Sequence, residues 1–566
     1  MTRRDIRGNL HYNSLVPDPL AQRRAVWAAL NGDPFDVLVI GGGINGAGIA
    51  RDAVMRGLRT ALVERGDFAS GTSSRSSKLI HGGLRYLEQA KIRLVLEAVR
   101  ERERLRRLAP HLVRPQPFLF PVYRGGPMGW LKLAAGLTAY DLLAGFWQVR
   151  RHRMLGRRAV EATEPTLRRE GLQGGGLYWD YRTDDARLVL ETAMAAAREG
   201  AAVASYAEVK ALEKEGGRII GARVIDRLGG GEALVRTRVV VNAAGPWVDK
   251  VSALDAPGPP RLRLTKGVHV VVPRARVGHS AAIVLRAVAD GRVMFVIPWG
   301  DHTMVGTTDT DHAGGPDVPP TVEAADVAYL LDTVNHYFPA ARLGPGDVVS
   351  AFAGLRPLVA APVGADLAPS AVSREEEIFT SASGLVSIAG GKLTTYRLVA
   401  ASVVDRVAAL LHAAGDPRSF GPSRTGDIPL PGGTARPEVL AAAALSRDGH
   451  GLSRSALEHL ADRYGSRLDE LLGLVARDRR LGEPLVASLP ERRAEVVEAV
   501  ESEWALTLED VLRRRTQVAL KDGAAGTDVA GEVATLMAEA LGWDRNAARA
   551  AAEDYVRAVR ASRTWR

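Results

Sequence analysis

The sequence predicts an α/β protein with three parts. They are a Rossmann-like dinucleotide-binding domain, an antiparallel sheet and a helical C-terminal region. Three observations predict it. A glycine-rich turn, Gly41 to Gly46, lies between an apolar run and a helical run. From Arg261 to Asp309, β-rich runs alternate with the turn pairs Asp290-Gly291 and Gly300-Asp301, the signature of hairpins. After about Leu398 the chain becomes Ala/Arg/Glu-rich, and the Pro/Gly-rich linker "DIPLPGGTARPE" (Asp427 to Glu438) leads into its last region.

The first element is "FDVLVI", Phe35 to Ile40, a short, wholly apolar-centred run of the kind that forms a buried parallel strand. The glycine turn follows, then "AGIARDAVMRG", helical to Gly57, and "RTALVE", Arg59 to Glu64, a second strand. Together they make one βαβ unit. Gly41, Gly43 and Gly46 fit the pattern G-x-G-x-x-G. The first makes the tight turn, the second admits a pyrophosphate, and the third lets helix and strand pack closely. The pyrophosphate would sit on the helix N-terminus, with Glu64 on the ribose hydroxyls.

Glu88 to Leu108 reads as a helix, and its run "RERERLRR" (Arg100 to Arg107) as a solvated face. Asp185 to Glu199 is a further helix. Residues 1–33 are an extension with a helical turn or two around Leu20 to Leu30.

The chain has 566 residues, enough for two to four domains at about 100–200 residues each. It contains no cysteine, so disulfides, thiolate metal sites and iron–sulfur clusters are excluded. Redox chemistry would need a bound cofactor. The net charge of +10 favours anionic partners. The most apolar stretch, Leu133 to Val149, is interrupted by Asp141 and is shorter than the roughly 20 residues of a membrane span. The N-terminus lacks the apolar run of a secretory signal, so an intracellular location is expected.

The run "GTSSRSSKLIHGGLRYLE", Gly71 to Glu88, points to FAD rather than NAD. A nicotinamide enzyme would continue into further βαβ units. Here a loop rich in hydroxyls follows, suited to the carbonyl and nitrogen acceptors of a flavin ring. Thr72, Ser73, Ser74, Lys78, His81 and Gly82 are the candidate contacts. "VVVNAAGPW", with Gly245, ends a strand in small residues where a cofactor would abut. "SIAGGKLTTY" supplies Gly390, Gly391, Lys392, Leu393 and Thr394, with a helix start able to face the flavin's pyrimidine edge.

Eight motifs in order carry a resemblance: "IGGGINGAGIARDA", "GTSSRSSKLIHGGLRYLE", "DDARLVL", "AAGPWV", "KGVHVVVP", "VIPWGDHTMVGTTD", "GLRPL" and "AGGKLTTYR". Dense from Asp36 to Ala400 and thinner in "TLEDVLRRRT" (Thr507 to Thr516), it resembles FAD-dependent glycerol-3-phosphate dehydrogenase of the aerobic, membrane-peripheral type. That family lies within the glycine-oxidase and sarcosine-oxidase-like flavoenzymes. The resemblance implies oxidation of sn-glycerol 3-phosphate to dihydroxyacetone phosphate, with electrons passing through FAD to membrane quinone. It implies nucleotide-domain segments 34–115, 181–255 and 351–405, cap segments 116–180 and 256–350, and a helical domain 406–566.

The resemblance also implies residue roles. Arg356, Arg85, Tyr86 and Arg374 would contact substrate, His269 with Thr307 or Thr308 would line the same pocket, and Lys392 would lie beside the flavin. From the sequence itself, Arg356 in the apolar "FAGLRPLVA" needs a partner or ligand, since unpaired buried charge is costly. His269 alternates with Val268 and Val270, so it faces the cavity if those valines are core. The general base stays open between His269 and His81, with an arginine-stabilised alkoxide as a third option.

Met128 to Arg158 places Trp130, Leu133, Leu137, Tyr140, Ala144 and Trp147 at helical spacing before a basic tail. That suits either an acidic lipid surface or a buried cap helix. A peripheral position on the inner face of the cell membrane is the expectation. No metal and no nucleic-acid partner is expected, since no aromatic-interleaved basic patch is present. Homodimerisation stays open. The alternative acceptor is oxygen.

Overall fold

The computed structural model describes residues 18–83, 91–126, 128–145, 150–360 and 376–565. Phe35–Ile40 is buried at every position, because it is the middle of a parallel sheet covered on both faces. Its neighbours are Thr60–Val63 on one side and Glu232–Asn242 on the other, both parallel, with Phe35 opposite Thr237 and Ile40 opposite Val63. Val386–Ala389 and Ala202–Ala204 extend the parallel sheet outward. The long strand Glu232–Asn242 serves twice: its first half pairs antiparallel with Arg218–Asp226, its second half parallel with Phe35–Ile40. The helices Ile44–Met55, Asp185–Arg198 and Tyr396–Ala413 share one core with this sheet. The helix Tyr396–Ala413 thus runs through the expected boundary at 405/406.

The second sheet, in which Leu262–Pro273 pairs with three other strands, is mixed rather than purely antiparallel. Ala282–Arg286 pairs parallel with Arg114–Tyr123, which joins the 262–306 hairpins to the strand Leu172–Arg182. Both hairpins expected from Asp290-Gly291 and Gly300-Asp301 are present. The strand Ser350–Val359 lies, from residue 351 on, in the expected third nucleotide segment. It pairs, however, with Leu262–Pro273 over ten residues, so it belongs to the cap sheet. Leu79–Ile80, inside the first nucleotide segment, also joins the cap sheet, opposite Arg182 and Tyr181. The cavity-forming loops therefore lie where the two sheets exchange strands.

The helix Ile92–Leu108 corrects the expectation of a solvated charged face. Glu101, Arg102 and Glu103 are buried. Arg102 meets Asp180 at 2.5 Å and Glu101 meets Arg397 at 2.6 Å, so each charge is paired on entering the core. The helix Trp130–Ala144 combines features of both readings of its sequence, a buried cap helix and an exposed apolar side. Leu133, Leu137, Tyr140 and Ala144 face inward, while Trp130, Leu131 and Leu142 are exposed, the last two at 79% and 76%. Trp147 lies outside the described residues.

The C-terminal helices from Pro437 onward form their own clusters. They attach to the nucleotide domain through buried ion pairs. Arg514 and Arg515, in the π-helical turn of the "TLEDVLRRRT" motif, hold Asp67 just after the second strand, with Arg515 at 2.6 Å. Glu503 pairs with the buried Arg187. No helix among the described residues is long and apolar enough to cross a membrane.

Candidate active site

The glycine turn is sterically compelled. Gly41 has φ +111°, and a Cβ on Gly46 would lie 1.8 Å from the Gly41 carbonyl oxygen. The following helix has no acidic residue in its first turn and no side-chain cap from Gly43, so its N-terminal field is left for an anion. Ser73 Oγ accepts from Ile44 N at 3.1 Å and fixes the loop to that terminus. Glu64 accepts from Gly42 N at 2.6 Å and Gly66 N at 2.8 Å, and burial pushes its carboxyl up.

A groove of about 790 Å³ runs over this turn, walled by Gly41, Gly43, Glu64, Ser73, Gly245 and Trp247. A second cavity of about 660 Å³ lies beside it. The two share Thr72, Ser76, Pro357 and Gly390–Leu393 in their walls. The cleft is elongated, with an anion-accepting helix end at one extremity and hydroxyls in the middle, and it fits a dinucleotide whose ring reaches the second cavity. Gly390 and Gly391 both have positive φ, and Asn45 Nδ2 donates to Gly390 O at 3.3 Å, tying this turn to the first glycine motif.

The second cavity brings together His81, His269, Thr307, Arg356, Lys392 and Thr394. His269 projects from its strand opposite the fully buried Val268 and Val270. Its ring stacks on Phe352 at 5.0 Å, and Nε2 lies 2.9 Å from Ser77 Oγ. Burial, then Arg356 and Lys78, push its pKa down to about 3, so the ring is neutral near pH 7. A Cβ on Gly306 would lie 2.1 Å from His269 Cδ2, so the glycine of "VGTTD" makes room for the imidazole.

Arg356 donates to Asp309 Oδ1 at 2.9 Å, Thr307 Oγ1 at 2.9 Å and Thr308 O at 3.0 Å. A Cβ on Gly267 would lie 2.3 Å from its Nη2. Thr394 Oγ1 accepts from His81 N at 3.2 Å, fixing the loop that carries His81. Gly82 is enclosed: its N–H donates to Tyr140 Oη at 3.0 Å, and a Cβ there would lie 2.3 Å from the same oxygen.

Not every candidate reaches the cleft. Lys78 turns away to the buried Asp185 at 2.5 Å. Ser74 is buried. Thr308 is buried, and its Oγ1 accepts from Val268 N at 2.9 Å, within the cap sheet. Arg85, Tyr86 and Arg374 lie outside the described residues. Sequence reasoning passed over Ser77, Asn45 and Asp309. The first stood in the hydroxyl-rich loop already singled out, and the last closes the "GTTD" motif.

Residues 36–397 match the FAD dependent oxidoreductase family. Residues 423–548 match the C-terminal domain of alpha-glycerophosphate oxidase. The chain is 43% identical over 533 residues to glycerol-3-phosphate dehydrogenase 2 of Mycobacterium tuberculosis, covering 92% of this chain and 88% of that one. It is 39% identical over 502 residues to the aerobic glycerol-3-phosphate dehydrogenase of Staphylococcus aureus, covering 88% and 89%. The fold matches the crystal structure of glycerol-3-phosphate dehydrogenase from Bacillus halodurans complexed with FAD. That match has a TM-score of 0.78 and 33% identity, covering 96% of this chain and 97% of that one. The chain belongs to the FAD-dependent glycerol-3-phosphate dehydrogenase family, and the elongated cleft over the glycine turn is the candidate site for its FAD.

Proposed function

We propose that this protein oxidises sn-glycerol 3-phosphate to dihydroxyacetone phosphate and delivers the electrons to a membrane quinone. The observation that carries the reading is the pairing, in one cavity beside the FAD groove, of the Arg356 guanidinium with the neutral imidazole of His269. Bound FAD supplies a two-electron acceptor for the hydride on C2 of the alcohol. Arg356 and Thr307 bind the phosphate, since a guanidinium matches phosphate oxygens in a fork. The C2 hydroxyl proton must leave as the ketone forms. His269 and His81 are the candidates to take it. A dianion in the cavity offsets the cations that depress His269, so its basicity rises when substrate binds. Lys392, in the wall of both cavities, would lie beside the ring.

The acceptor reading rests on the helix Trp130–Ala144. Its inner side, through Leu133, Gly136 and Ala139, walls the cavity. Its outer side exposes Trp130, Leu131 and Leu142. An apolar wall between the reaction cavity and an exposed apolar face suits a lipid-borne quinone, and the net charge of +10 favours an anionic leaflet. The protein therefore sits peripherally on the cytoplasmic face. Steady-state turnover with glycerol 3-phosphate tests this: a soluble quinone analogue is expected to be reduced far faster than oxygen. Peroxide formed mole for mole with product in air, at the same rate, would make oxygen the acceptor.

A further inference from the structure

Arg356 is heavily committed before any ligand arrives. Three of a guanidinium's five N–H groups go to Asp309, Thr307 and the Thr308 carbonyl. A dianionic phosphate presents three acceptor oxygens, which two guanidiniums can share. A second guanidinium lies against the same carboxylate. Arg292 Nη1 is 2.7 Å from Asp309 Oδ2, so one buried carboxylate stands between two arginines that both line the cavity.

The contact is a close ion pair, so the one carboxylate holds both guanidiniums at the cavity wall. The other acidic neighbour of Arg292, Asp290 at 3.6 Å from Nε, is half exposed and sits in the hairpin turn. Arg286 lines the same wall, two strands of the hairpin bringing it opposite Val293. Arg286, Arg292 and Arg356 bring three guanidiniums to the wall of one cavity around the buried Asp309 carboxylate, an arrangement suited to an anion. An alcohol alone would not require it.

We propose that Arg292 is a second phosphate-binding residue, and that Asp309 is a positioning residue holding Arg292 and Arg356 on either side of the phosphate. This rests on the glycerol 3-phosphate reading for the identity of the ligand, and on the cavity's charge for its anionic class. It makes the "DGR" turn a specificity determinant and not only a hairpin connection. Discrimination between glycerol 3-phosphate and glycerol should come from the two arginines together.

The test uses purified FAD-loaded Arg292→Gln and Arg292→Lys, with normal flavin content as the folding control. Two readouts are taken. One is the titration of the flavin absorption spectrum with inorganic phosphate. The other is the anaerobic rate of flavin bleaching by glycerol 3-phosphate and by glycerol. The expected result is a phosphate dissociation constant at least tenfold weaker in Arg292→Gln, with partial recovery in Arg292→Lys. The preference for glycerol 3-phosphate over glycerol should fall at least thirtyfold, through KM more than kcat. A glycerol preference and a phosphate affinity both within threefold of the parent would overturn the assignment. If the parent protein binds phosphate but is not bleached by glycerol 3-phosphate, the substrate reading fails. The arginine pair is then still decided by the phosphate titration.

Discussion

Gly267→Ala tests the substrate cavity with one methyl group. The added Cβ would lie 2.3 Å from Arg356 Nη2, 2.6 Å from Cζ and 2.8 Å from Nη1, so the guanidinium must move. Gly267 does not have positive φ, and its backbone accepts alanine without strain. The methyl touches the second cavity and not the dinucleotide groove, so flavin binding should be unaffected. Displacing Arg356 breaks its bonds to Asp309, Thr307 and the Thr308 carbonyl, and moves its fork off the substrate phosphate. Loss of one charge-assisted bond costs about 1.5–3 kcal/mol, which is roughly 10- to 150-fold in kcat/KM. Steady-state kinetics with glycerol 3-phosphate and a soluble quinone analogue would measure it, alongside flavin content per polypeptide. An efficiency within threefold of the parent at normal flavin content would refute the assignment of Arg356 to the phosphate.

Gly306→Ala places a methyl against His269 and is expected to break both its contact with Ser77 and its stacking on Phe352, lowering kcat with little change in flavin content. The pKa of His269, pushed down to about 3, makes folding pH-dependent. The unfolded chain binds a proton there below pH ~6.5 and the folded one does not, so this contribution is complete above pH ~6.5 and is lost as pH falls toward 3. His269→Phe, which keeps a ring for Phe352, should show a smaller drop in urea midpoint between pH 7 and pH 5; an equal drop in parent and variant would contradict the burial argument. Arg102→Met strands the Asp180 carboxylate beside Gly82 and should destabilise by about 3–5 kcal/mol, read as a lower melting temperature with premature flavin release. Leu131→Asp with Leu142→Asp should abolish co-sedimentation with acidic vesicles while leaving reduction of a soluble quinone analogue intact; unchanged vesicle binding would remove this helix from the membrane account.

What was readable in the sequence was local. The glycine turn, the strand–helix–strand unit around it and the two dipeptide hairpins follow from backbone sterics within a few residues, and the alternation Val268–His269–Val270 follows from the strand pleat. What was not readable depends on partners far away in the chain. The charged run Arg100 to Arg107 looks solvated because Asp180 and Arg397, which neutralise it, are 78 and 296 residues distant from Arg102 and Glu101. Lys78 has the composition of a flavin contact, but Asp185 claims it across 107 residues. The helix Trp130–Ala144 is apolar nearly all round, so periodicity alone does not say which side is core. Ser350–Val359 sits next to a nucleotide-domain segment in the sequence, yet its long register with Leu262–Pro273 places it in the other sheet.

The most direct test of the central claim is an anaerobic titration of the purified yellow protein with sn-glycerol 3-phosphate, following the flavin band and assaying dihydroxyacetone phosphate. The account predicts loss of the flavin band with one dihydroxyacetone phosphate formed per FAD reduced. A flavin band that survives excess substrate in a fully FAD-loaded protein would contradict it.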